Sequence, residues 1–156
     1  MVGTVIGIDP GAKSGFARYV DGQLVELVTC APHTLLPFIA ARVHDAAPAP
    51  VLLVFEDSRL QSYCWNARAA GGTGAALRAA RNLGQVDGIC QMLEGWCGAF
   101  GVPYAPVSPK GKGSKMDAAA FKHLTGCHRR LNQHERDAAL VAWPYRNLTP
   151  AKKESA

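Results

Sequence analysis

A chain of 156 residues, 48% of them hydrophobic and with a net charge of +5, is sized for one domain that buries its apolar surface without disulfide staples. No stretch approaches the ~18 apolar residues of a membrane span, and the N-terminus lacks a signal peptide's charged-then-apolar layout, so a cytoplasmic protein with no membrane partner is expected. The five cysteines (Cys30, Cys64, Cys90, Cys97 and Cys127) include no C-x-x-C pair and suit reduced, mostly buried thiols; Cys127-His128 with His123 lacks the second ligand pair that a zinc site needs.

Val5-Ile6-Gly7-Ile8 is a short apolar run that reads as a buried strand, and it ends on Asp9. Pro10 stops the ladder, and Gly11 is expected to supply a positive φ for a tight exit. A carboxylate at a sheet rim either opens a D-P-G turn or meets something positive, and a hard divalent cation suits its oxygens best. Residues 16–20 alternate in character, meet the two-residue turn Asp21-Gly22 and return through 23–29, so three antiparallel strands come first. Pro32 and Thr34 introduce a helix over 35–45, with Leu36, Ile39, Ala40 and Val43 along one face.

Val51-Leu52-Leu53-Val54-Phe55 is the most apolar run and reads as a central strand buried on both faces. It too ends on acids, Glu56 and Asp57. Two apolar strands that both close on a carboxylate make a far rarer coincidence than one. Residues 58–80, with Gly71-Gly72-Thr73-Gly74 in their middle, read as a long loop. A helix is expected over 79–100, where Leu83, Val86, Cys90, Leu93, Cys97 and Phe100 keep a three-four spacing and Ile89, Met92 and Trp96 add a second stripe. So apolar a helix should be buried on more than one side, in the core or against a second subunit, and Gly84, Gly88, Gly95 and Gly98 point to close backbone contact.

Pro103-Tyr104-Ala105-Pro106-Val107 reads as a short peripheral strand. Ser114-Lys115-Met116-Asp117 is expected to cap a helix that ends at Gly126, and Asn132-Gln133-His134-Glu135 to cap a last helix that runs to Pro144. The domain then covers residues 1–147, with 148–156 a frayed tail. Residues 58–86 carry four arginines and no acid, and 107–130 carry six cations against Asp117 alone. Such blocks suit a polyanion or form solvated basic faces. On the last helix His134 and Asp137 share one face, where the positive end of the helix dipole favours a carboxylate. With Ala138-Ala139 behind them the helix can press onto the sheet and aim both groups at Asp9 and Glu56, with Glu135 as an outer member.

In this order and spacing, Gly7-Ile8-Asp9-Pro10-Gly11 with Gly15, the strand ending in Glu56, Gly84-Gln85-Val86-Asp87-Gly88 and His134-x-x-Asp137-Ala138-Ala139, the chain resembles the RuvC-like Holliday junction resolvases of the RNase H-like superfamily. The resemblance spans nearly the whole chain. It implies an α/β RNase H-like fold, a mixed five-stranded sheet (three antiparallel strands, then parallel strands) flanked by helices. It further implies a homodimer, formed here through the helix around 79–100, that cuts four-way DNA junctions in recombination and repair and leaves 5′-phosphate and 3′-hydroxyl ends. Asp9, Glu56 and Asp137 match the family's metal-binding acids, and His134 falls where many members have a further Asp and some have His. Those four residues would be catalytic and would hold two Mg²⁺ or Mn²⁺ ions, the imidazole tilting the preference towards Mn²⁺.

The residues expected on nucleic acid are Lys13, Arg59, Arg68, Arg78, Arg81, Lys110, Lys112 and Lys115, with Tyr63 and Trp65 either wedged against unstacked bases or packed in the core or a dimer. The chain departs from the family pattern in a short Pro/Gly loop bearing Lys110 and Lys112 and in the Gly-rich stretch near Gly72. Other readings of the same residues are an RNase H-like nuclease for RNA or RNA–DNA hybrids and a silent DNA-binding module. A sugar-kinase-like ATPase also starts on a Gly-x-Asp-x-Gly strand, but it needs a second such domain.

Overall fold

The computed structural model describes residues 3–61, 72–109 and 115–147. Strands β1 (Thr4–Asp9), β2 (Ser14–Val20) and β3 (Gln23–Cys30) come first, followed by helix α1 (Pro32–Ala46) and strand β4 (Val51–Glu56). A 3₁₀ turn at Ser58–Leu60 precedes the long helix α2 (Thr73–Phe100), strand β5 (Tyr104–Val107) and helices α3 (Ala118–Thr125) and α4 (Gln133–Ala142). The five strands form one sheet in the order β3-β2-β1-β4-β5, with the first three antiparallel and β4 and β5 parallel to β1 and to each other. This is the RNase H-like α/β arrangement.

The Asp21-Gly22 hairpin forms with φ 51° and 77° at its two residues, the left-handed pair that matches strand twist in a two-residue loop. Alternation along the strands then sorts the core into two layers. Ile6, Ile8, Phe16, Leu53 and Phe55 pack against Leu35 and Ile39 of α1 and Ile89, Cys90, Leu93 and Cys97 of α2. Val5, Ala17, Tyr19, Leu27 and Val54 pack on the other side against Phe121 of α3 and Ala138, Ala139, Val141 and Ala142 of α4. β4 is therefore covered on both faces, as its unbroken apolar run requires.

Several expectations are corrected. α1 begins at Pro32 itself, since proline suits the first helical position, and Leu35 rather than Leu36 is its fully buried leucine. The long loop ends early: α2 starts at Thr73, because Ala75, Ala76, Leu77, Arg78, Ala79 and Ala80 are mostly strong helix formers whose propensity outweighs the glycines before them. Among the described residues α2 is covered on one side only, so the core alone does not bury it on both. Gly84, Gly88, Gly95 and Gly98 have open space among the described residues where a Cβ would stand, and Phe100, the last residue of the helix, is 69% exposed. The reason is geometric, because a sheet offers a helix one face, and the glycines lie on the side turned from it. α3 is capped by Asp117, whose carboxylate accepts the Ala120 N–H at 2.8 Å; Ser114 lies outside the described residues. Gly11 is absent from the positive-φ positions, and the exit from β1 is tied instead by Ser14, whose hydroxyl accepts from the Gly11 N–H and donates to the Gly11 carbonyl, both at 3.2 Å.

Among the described residues no helix is long and apolar enough to cross a membrane. Cys30, Cys90 and Cys97 are buried free thiols; Cys64, like the tail 148–156, lies outside the described residues.

Candidate active site

β1 and β4 run parallel and in register as far as Ile8 opposite Phe55, so Asp9 and Glu56 are the next residues on neighbouring strands. By the two-residue period of a strand, Asp9 follows Val5 and Gly7, and Glu56 follows Leu52 and Val54, on the face that α4 covers. Two acids thus end side by side at one edge of the sheet. α4 brings the third group: His134 Nδ1 lies 3.3 Å from Asp9 Oδ2, with the imidazole 45% and the carboxylate 16% exposed.

Small residues are what let α4 come so near. A Cβ added to Gly15 would collide with the backbone carbonyl of His134, and one added to Gly7 with the carbonyl of Ala138 and, at 2.7 Å, with the Ala142 methyl. The buried Tyr19 hydroxyl donates to the Ala139 carbonyl at 2.9 Å and pins the helix from below; burial pushes its phenol above the ordinary range. The start of α4 is set by a complete capping box. Asn132 accepts from the Glu135 N–H at 2.9 Å, Glu135 accepts from the Asn132 N–H at 3.2 Å, and Asn132 Nδ2 donates to Thr29 on β3 at 2.7 Å. Glu135 is consequently occupied as a cap, 4.0 Å from Arg129, rather than standing as an outer member of the site.

Asp137, one turn on from His134, is 3% exposed. Its Oδ1 accepts from Gln133 Nε2 at 2.7 Å, and its Oδ2 lies 3.7 Å from Lys115 Nζ. Lys115, expected on phosphate, therefore stands against the buried acid, with its side chain 72% exposed. Lys13 is exposed in the turn just beyond Asp9, and Arg78 and Arg81 are exposed on the first turns of α2. Tyr63, Trp65, Arg68, Lys110 and Lys112 lie outside the described residues.

Arg59 is committed internally. Its Nε and Nη2 donate to Asp57 Oδ1 and Oδ2 at 2.9 and 2.7 Å, and Nη2 also donates to Glu94 of α2 at 2.9 Å. Ser58 Oγ donates to Asp87 of α2 at 2.5 Å, so the residues that follow Glu56 are bolted to that helix. No periodicity in the sequence signals this network; only the acid-basic run Glu56-Asp57-Ser58-Arg59 hints at it. Asp57 is 2% exposed, and Arg59's hydrogen bonds, outweighing the burial that opposes them, hold its carboxyl below the usual carboxylate range. A depressed folded value contributes stability above the unfolded carboxylate pKa of about 3.9 and loses it as pH falls through the folded one. Arg59→Met should therefore lower stability by about 2 kcal/mol at neutral pH, leaving a buried carboxylate with the residue-59 N–H but without its guanidinium counter-charge. The deficit should shrink below about pH 4, where Asp57 of the variant takes up a proton. Urea unfolding of both proteins at the two pH values checks this.

In donor type, the carboxylates of Asp9, Glu56 and Asp137 with the His134 imidazole fit a hard divalent ion of the Mg²⁺ or Mn²⁺ kind. As the side chains stand, Asp9 and His134 are together while Asp137 is turned to Gln133 and Lys115, and among the described residues no group of three or more His, Cys, Asp or Glu is close enough to hold an ion.

No family model and no curated protein matches the chain. Among solved structures it is similar to T. thermophilus RuvC in complex with Holliday junction substrate, at 20% identity and a TM-score of 0.48 over 90% of each chain.

Proposed function

We propose that the chain is a divalent-metal-dependent endonuclease that hydrolyses phosphodiester bonds in branched DNA, four-way junctions first, in the cytoplasm and as a homodimer through α2. What carries the reading is the meeting of Asp9, at the end of one central strand, with His134 of a helix pinned over β1 and β2, while Glu56 ends the strand next to Asp9. Three chain segments far apart in sequence converge on one sheet edge, which core packing alone does not require. The choice of branched DNA rests on the order of motifs from Gly7-Ile8-Asp9 to His134-x-x-Asp137.

Asp9, Glu56, His134 and Asp137 would hold the ions, and the chemistry that ions supply there is activation of a water and stabilisation of the leaving 3′ oxygen. The chain's own part is placement. β1 and β4 fix Asp9 and Glu56 on a rigid frame, and the capping box fixes the first turn of α4, so His134 meets Asp9 without further folding. Lys115 and Lys13 supply positive charge beside the acids, where an incoming phosphate would otherwise meet net repulsion. Two copies give the paired cuts that a four-way junction needs, and α2 offers them an open side bearing the exposed Leu77 and the glycines Gly84, Gly88 and Gly95.

The test is cleavage of labelled four-way junction, linear duplex, flap and RNA–DNA hybrid side by side with Mg²⁺ and Mn²⁺. Paired cuts in the junction that vanish with chelator are expected. Preference for the hybrid would overturn the choice of substrate, and no cleavage of any of them would overturn the nuclease reading.

A further inference from the structure

Where the chain crosses from α3 to α4 a cleft of about 410 Å³ opens over Phe121, and it gathers Lys122 of α3, His128, Arg129 and Arg130 of the crossing, and Arg136 of α4. Four of these are permanent cations, and among the described residues no Asp or Glu lines the cleft. Two of them belong to its frame. Arg129 Nη2 donates to the Leu27 carbonyl of β3 at 2.6 Å, and Arg136 donates through Nη1 to the Leu131 carbonyl at 2.8 Å and through Nη2 to Gln133 at 2.9 Å. The nearby acid, Glu135, lies 4.0 Å from Arg129 and is taken up by the Asn132 cap. The other two cations, Lys122 and Arg130, are exposed with His128 between them in sequence, and their side chains make no hydrogen bond or ion pair among the described residues.

Clustering like charges costs stability unless something negative meets them. The cleft also includes the first turns of α4, the helix whose N-terminal end carries His134. Its fixed guanidinium groups and free cations are suited to phosphate oxygens. We infer that this cleft seats a backbone phosphodiester of a DNA arm outside the bond to be cut. The inference rests on the nuclease reading and adds to it a contact that reads no sequence.

The experiment is binding of labelled four-way junction and of linear duplex, followed by fluorescence anisotropy in chelator from about 50 to about 200 mM salt, the range over which phosphate contacts are most visible. Lys122→Gln and Arg130→Gln remove exposed charges without touching the frame, and thermal unfolding confirms their fold. Each should lower the slope of log affinity against log salt by about one, and the pair should lose about tenfold in affinity at low salt, alike for all sequences. Arg146→Gln removes the same charge beyond the far end of α4, where Arg146 stacks on Trp143 at 3.7 Å, and should leave the slope unchanged. A double variant that binds like the unaltered chain, or an Arg146→Gln slope reduced as much as that of Arg130→Gln, overturns the inference. Should the unaltered chain bind neither DNA, the nuclease reading falls and takes the cleft with it; binding by the unaltered chain with indifferent variants removes the cleft alone.

Discussion

Asp9→Asn should cut the rate of junction cleavage by about three orders of magnitude or more, the scale on which removing one member of a catalytic group acts, while DNA binding holds or tightens. The substitution keeps size and shape, so β1 and its pairing with β2 and β4 have no reason to change. What it removes is the negative charge at the one point where a strand end and the α4 imidazole are 3.3 Å apart. Asparagine offers a neutral oxygen in place of a carboxylate, and hard divalent ions favour the charged ligand. Binding should not suffer, because a chain of net charge +5 loses one acid from a surface that would face phosphate. The measurement pairs single-turnover cleavage of a four-way junction with anisotropy in chelator. Cleavage at the normal rate would remove Asp9 from the chemistry, and loss of binding in step with cleavage would mean that the variant had misfolded.

The parts of this fold that were legible in the sequence are those fixed by local rules. The hairpin at Asp21-Gly22, the two-sided burial of β4 and the capping box from Asn132 to Glu135 follow from turn chemistry, apolar runs and cap spacing, and each forms as expected. What could not be read is set by contacts between distant segments. Arg59 reads as one more cation of a basic block, and only α2, with Glu94, shows that it is committed internally. The same holds for glycine. A Cβ at Gly84, Gly88, Gly95 or Gly98 on α2 would meet nothing within 4 Å among the described residues, whereas Gly7 and Gly15, in strands where glycine is unfavourable, are pressed by a helix. A one-dimensional pattern shows that a glycine is present; only the packing shows whether space is needed there.

Gly15→Ala should be the most destabilising single-methyl change near the site, at about 3 kcal/mol, the upper end of overpacking costs. Gly15 pairs directly with Asp9 across β1 and β2, and it lies beneath the first turn of α4. An added methyl would overlap the carbonyl oxygen of His134 and come within 2.5 Å of its carbonyl carbon and 3.1 Å of the Ala138 methyl. Those neighbours are backbone and a methyl group, with no long side chain able to swing aside, so the helix must lift. Lifting it stretches the Tyr19 hydrogen bond to Ala139 and carries His134 away from Asp9, so cleavage should fall together with stability. Gly11→Ala is the control. It lies two residues after Asp9, has no positive φ and among the described residues would meet only the Lys13 backbone, at 3.3 Å, so its cost should stay within about 1 kcal/mol. Urea unfolding of the two variants separates them. If they were equally stable, α4 would not ride this low on the sheet, and the contact between His134 and Asp9 would lose its structural basis.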